Sequence, residues 1–134
     1  MWKNLKGKIY HAQVLAPVAV TADVNCAGVD VQDLNSLAFL VNVAAFTFTG
    51  VNKIAIKLQD SDDNSTFADV TEVYEGTAPV VKTLEAVADG AASHLVEYRG
   101  GKRYARLVLD VSGTVSVIVG VVAISNKPEL MPPV

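Results

Sequence analysis

The chain has 134 residues, 51% of them hydrophobic and 19% charged, with a formal net charge of −3. That length fits one domain with a real core, and the apolar share excludes a disordered chain. An acidic balance of this size sets up no field to draw in nucleic acid or an anionic membrane, so neither is expected as a partner.

The single cysteine, Cys26, cannot form an internal bridge and reads as a small buried apolar residue. Folding in a reducing compartment is the expectation. Residues 1–10 lack the apolar core of a signal peptide. The most apolar stretch, residues 115–124, is about half the length that spans a bilayer.

Taken in order, residues 1–7 mix Trp2 and Leu5 with lysines at no clear period, which reads as an arm. The expected arm runs over residues 1–17. Residues 9–24 are rich in Val and Ala and are cut by Pro17, which predicts two short edge strands flanking the proline. Residues 25–36 read as a connection. Leu37, Phe39, Val41 and Val43 then alternate with Ala38, Leu40 and Asn42, the period of a strand with one face buried. Gly50 marks the turn into residues 54–59, where Ile54, Ile56 and Leu58 alternate with Ala55, Lys57 and Gln59.

The polar run 60–66 closes that strand into a loop, because Asp, Asn, Ser and Thr bond their own backbone in turns. Phe67 and Val70 resume the apolar pattern. Residues 80–88 fit a helical turn through Leu84, Val87 and Ala88, or an edge strand through Val81, Thr83 and Glu85. Asp89-Gly90 signals a turn. Residues 95–98 and 102–111 read as two strands joined by a tight turn at Gly100-Gly101, with glycine supplying positive φ. In the second, Ala105, Leu107, Leu109 and Val111 face one way, leaving Arg103, Arg106 and Asp110 mostly to solvent. Residues 115–124 are apolar on both faces and predict a buried last strand. Residues 126–134 hold Pro128, Pro132 and Pro133 and predict an extended tail.

The sum is about eight strands without alternating helices, a single all-β domain over 1–134 built as an antiparallel β-sandwich with extended arms at both ends. The candidate chemistry is thin. Asp60, Asp62 and Asn64 match the opening of an EF-hand loop, but Ser65 and Thr71 stand where Gly and Glu belong. Another calcium arrangement would use Asp60, Asp62, Asp63 and Asp69, and a solvated turn fits those residues better. His11 and His94 have no second ligand at metal spacing. Ser93, His94 and Asp89 are the residue types of a hydrolytic triad without its sequence context. No cofactor and no enzymatic activity are expected. Arg99, Lys102, Arg103 and Arg106, with Tyr98 and Tyr104, cluster near the glycine pair and read as a hairpin end or as a salt-bridging patch at a protein contact.

Three stretches together resemble a family. They are residues 57–64 with 67–70 (KLQDSDDN and FADV), residues 101–106 (GKRYAR) running into a Val-rich strand, and residues 119–124 closing on a proline-containing tail. In this order they look like the small head decoration, or cementing, proteins of tailed bacteriophages. The resemblance covers roughly residues 30–130. It implies a jelly-roll sandwich that binds the outside of the assembled capsid, contacts the major capsid protein, bridges neighbouring capsomers and self-associates as a dimer or trimer. The resemblance also implies a protein made in the host cytoplasm and sited on the capsid exterior of the virion. On that reading Trp2, Leu5, Leu130, Met131 and Pro132 are contact elements, with Arg99, Arg103 and Arg106 as polar contacts. A tail or baseplate structural protein is the neighbouring alternative. A carbohydrate-binding β-sandwich is a rival from another class, disfavoured by one Trp and four Tyr.

Overall fold

The computed structural model describes residues 9–126, apart from 33, 35, 74 and 75. Ten strands follow in chain order: β1 Ile9–Val20, β2 Val24–Asn25, β3 Val29–Asp30, β4 Ala38–Val43, β5 Lys53–Ser61, β6 Ala68–Asp69, β7 Val80–Leu84, β8 Ala92–Glu97, β9 Tyr104–Ser112 and β10 Val117–Asn126. One sheet has the order β1-β10-β4-β8. The other has β2-β9-β5-β6, with β3 also on β9 and β7 also on β5. All of these pairings are antiparallel.

The pairing is nested. β1 pairs β10, β2 and β3 pair β9, β4 pairs β8, and β5 pairs β6 and β7. A long two-stranded ribbon has been wound on itself, and the contacts β4–β10 and β5–β9 close the two sheets. This is a jelly roll. Ten strands occupy eight positions, because β2 and β3 share one edge of β9, and β6 and β7 share one edge of β5. The break between β2 and β3 falls at Gly28, where a Cβ would run into Asn64 and Phe67 of the loop that crosses there.

The core follows the period-two pattern. Phe39, Val41 and Val43 from one sheet meet Ile54, Ile56 and Leu58 from the other, joined by Leu84, Leu107, Leu109, Val119, Val121 and Ala123. Each such side chain contributes roughly 1.5–3 kcal/mol by leaving water.

Several sequence expectations are corrected. Residues 9–17 are not arm but strand, and Pro17 does not divide the segment. It sits in a bulged part of β1, between the Leu15–Val121 and Val18–Val119 pairs. β1 is an edge strand, so the missing N–H costs no central ladder bond. Gly120 opposite leaves room, since a Cβ there would come within 3.1 Å of the Pro17 ring. Residues 25–36 are not a bare connection, because β3 pairs with β9. β8 and β9 do not form a hairpin; they lie in different sheets. Gly100 is needed for a close approach rather than for φ, since a Cβ there would meet the Tyr98 ring and hydroxyl at 2.5 Å. Residues 80–88 hold both readings in turn, strand β7 and then a 3-10 turn at Val87–Asp89. The last strand is not buried on both faces: Ile118 is 54% exposed.

Candidate functional site

Two of the sequence-predicted contact residues, Arg99 and Arg103, lie at one end of the sandwich. Ile9 pairs with Asn126 at the end of β1 and β10. Ala38, at the start of β4, pairs with both Ile124 and Glu97. Asp30 and Ser61 both pair with Tyr104 at the start of β9. The loops 62–67 and 98–103, with Ser36 and Leu37, therefore lie at the end of the sandwich that holds Ile9 and Asn126. Trp2, Leu5, Leu130, Met131 and Pro132, and the rest of residues 1–8 and 127–134, lie outside the described residues.

Polar contacts knit this end together. The Ser125 hydroxyl donates to the Ser36 carbonyl, and the Tyr98 N–H donates to Leu37 at 2.9 Å. Tyr98 is the centre of the loop that links the sheets. Its hydroxyl donates to Asp60 at 2.9 Å and accepts the Lys102 N–H at 3.2 Å. Burial, reinforced by the Asp60 carboxylate, pushes the phenol up to about 12. It stays protonated and holds 98–102 against β5.

The basic residues separate into pairs. Arg99 reaches Glu72 at 3.3 Å, Lys102 reaches Asp62 at 3.2 Å, and Arg103 reaches Asp30 at 2.9 Å while lying over the Tyr104 ring. The Arg103 bonds hold the Asp30 carboxyl below its ordinary range. Arg106 is set further along β9, stacked over Phe67 and donating to Gln59 at 2.7 and 3.0 Å. Asp30, 73 residues from Arg103, is a partner that no local pattern signals. Exposed pairs of this kind are worth roughly 0–1 kcal/mol each. They fix loop positions more than they stabilise the fold.

The acidic loop is a self-braced turn. Ser61, buried, donates to Asp63 at 2.8 Å and accepts the N–H groups of Asp63 and Asn64. Asp63 accepts the N–H groups of Ser65 and Thr66, both at 2.9 Å. The Thr66 N–H, the Ser61 hydroxyl and the Ser65 N–H together bring this carboxyl down to about 2. Asn64 completes the turn at φ 59°. The four acids of the alternative calcium arrangement have separate uses: Asp60 on Tyr98, Asp62 on Lys102, Asp63 on its own loop, and Asp69 on Gln59 and Lys57. No three metal-ligating side chains converge among the described residues.

The triad residue types do not assemble. Ser93 points to the outside of its sheet and donates to Asn42 at 2.7 Å. His94, its neighbour on the other face, takes the Asp89 backbone carbonyl at 2.9 Å. The Asp89 carboxylate instead bonds Lys82 at 3.1 Å and the Glu85 and Ala86 N–H groups. Burial alone would raise that carboxyl, and these donors more than offset it, leaving it below the ordinary range. His11 lies on β1 and His94 on β8, at opposite edges of one sheet. Cys26 is buried, which pushes its thiol up to about 12 and keeps it from acting as a thiolate.

Two open clefts flank the 98–103 loop, one against residues 31–37 and one against 60–72. The aromatic rings beside them are already in use: Phe67 lies under Arg106, Tyr104 under Arg103, and the Tyr98 hydroxyl is bonded on both sides. Among the described residues no helix is long and apolar enough to cross a membrane.

No protein-family model matches the chain, and no curated protein matches it. Among solved structures, the crystal structure of PirA aligns over 89% of this chain and 93% of its own at 12% identity, with a TM-score of 0.33. A likeness that distant carries no argument.

Proposed function

We propose that this protein is a non-enzymatic structural component of a phage virion, a jelly roll that seats on the outer capsid surface and bridges neighbouring capsid subunits. The observation that carries the proposal is the Ile9–Asn126 pair, with loop 98–103 at the same end of the sandwich. Ile9 and Asn126, the first and last described residues, thus lie side by side at that end. On this proposal Trp2, Leu5, Leu130, Met131 and Pro132 are contact elements, and Arg99 and Arg103 supply polar contacts. Several weak contacts on one rigid body, repeated over a lattice, add by avidity. The ion pairs at this end hold the loops in place before contact, which lowers the ordering cost of binding.

The carbohydrate-binding alternative needs open aromatic faces for sugar rings, and the rings near the acidic loop are covered by arginines. Deleting residues 1–5 is expected to leave the far-UV circular dichroism unchanged and to lower occupancy on bare heads at a fixed protein concentration. Unchanged occupancy would remove the arm from the account.

A further inference from the structure

The outer faces of the two sheets differ. On the β9–β5 sheet, outward side chains are charged and mutually paired: Lys57 with Asp69 and Asp110, Arg106 with Gln59. On the β1-β10-β4-β8 sheet they are mostly apolar. The register sets them in rows across the four strands: His11–Ile124–Ala38–Glu97, then Gln13–Val122–Leu40–Leu95, then Gly120–Asn42–Ser93 beside Pro17, then Ala19–Ile118. Leu95 is 57% exposed and Ile118 54%. Among the described residues the centre of this face carries no charge, and its two titratable groups, His11 and Glu97, stand at opposite ends of one row. Neither side chain makes a hydrogen bond or ion pair among the described residues.

We infer that this face is a two-fold interface between two copies of the chain. A two-fold axis lying along the strand direction, between β10 and β4, keeps each row opposite itself and exchanges its ends. It sets Glu97 of one copy against His11 of the other on both flanks, and Val122 against Leu40 twice at the centre. A carboxylate then meets a ring N–H donor rather than another anion. The polar row matches in the same way. Asn42 and Ser93, already bonded to each other, face the hollow over Gly120 that Pro17 and Gln13 border. A two-fold axis across the strands would instead lay Glu97 over the apolar end of the sheet, leaving its charge buried and unpaired at a cost of several kcal/mol.

Size permits the contact. Four strands at about 4.8 Å and four rows at about 6.8 Å give roughly 500 Å² in plan on each copy, so on the order of 1,000 Å² or more in total. Two sheets stacked face to face cross at about −30°, an offset that a Glu side chain spans. The inference is independent of the capsid reading, because it is tested on the protein alone.

The experiment is the mass of the full chain by sedimentation equilibrium from low micromolar to several hundred micromolar. The expected result is a two-chain mass, with Leu95→Glu and Val122→Lys each raising the dissociation constant at least tenfold at unchanged circular dichroism. Glu97→Arg is expected to weaken the dimer, and adding His11→Glu to restore it. Should the apolar variants fail to fold, the double variant His11→Cys, Glu97→Cys is expected to cross-link into two-chain species on oxidation. A monomer throughout, a mass other than two chains, failure of the charge swap, or no cross-link would overturn the inference. So would a dimer that Leu95→Glu and Val122→Lys leave intact.

Discussion

Ile9 and Asn126 are cross-strand partners at one corner of the β1–β10 ladder, so 118 residues of fold are closed between two neighbouring positions. That relationship gives the sandwich a directional end. A disulfide built as Ile9→Cys, Asn126→Cys is expected to form on oxidation and to stabilise the fold by about 2–4 kcal/mol through the long loop it closes. Urea unfolding of oxidised against reduced protein reads this directly. If the two cysteines stay free, the corner is not as described.

The two faces of one strand should respond differently. Phe39, buried between the sheets, is expected to cost about 3–5 kcal/mol on truncation to Ala. Leu40, next to it but pointing outward, should cost under about 1.5 kcal/mol in the monomer, because it leaves no enclosed cavity. Chemical denaturation of F39A and L40A at low protein concentration separates the two.

Ser61 braces the acidic loop from a buried position, so Ser61→Ala is expected to cost about 1–3 kcal/mol by leaving its backbone partners without an acceptor. The pH dependence follows from Asp63. A carboxylate whose folded pKa is about 2, against an ordinary 3.8, binds fewer protons in the folded chain than in the unfolded one. Its contribution is complete above about pH 4 and is lost as pH falls through about 2. Asp30 and Asp89, both lowered, act in the same direction. Asp63→Asn keeps the accepting oxygen and removes the charge. Its melting temperature should therefore fall less steeply than the wild type's between pH 4 and 2. Parallel curves would contradict the assignment.

Gly113 has φ 75°, and a Cβ there would press on Asn52, whose side-chain oxygen accepts the Thr114 N–H at 2.9 Å. Gly113→Ala is expected to destabilise by about 1 kcal/mol or more. Gly101, with open space around it, should tolerate the same change. Thermal melts of the two variants make the comparison.

Period-two alternation made β4 and β5 legible from sequence, because each buries one face against the other. Pro17 misled because a proline signal is local, while an edge position and a glycine on the neighbouring strand are long-range facts. Gly100-Gly101 misled for a related reason: the pair suits a hairpin, yet Tyr98 packs on Gly100 and turns the chain across to the other sheet. The Arg99, Arg103 and Arg106 cluster was visible as composition. Its division into pairs was not, since Asp30, Gln59 and Glu72 come from other elements. The two-faced apolar character of residues 117–124 is also visible in the sequence, where it points to burial. Only the sheet order shows that nothing among the described residues covers the outer side.

The proposed attachment to a capsid is tested most directly by binding of the purified full chain to bare, expanded heads of the phage proposed to carry it. Copies bound per particle would be counted across a concentration series. The account predicts saturable binding at a fixed number of symmetry-related positions, together with a higher temperature of head rupture. Absence of saturable binding, or binding that leaves rupture unchanged, would contradict it.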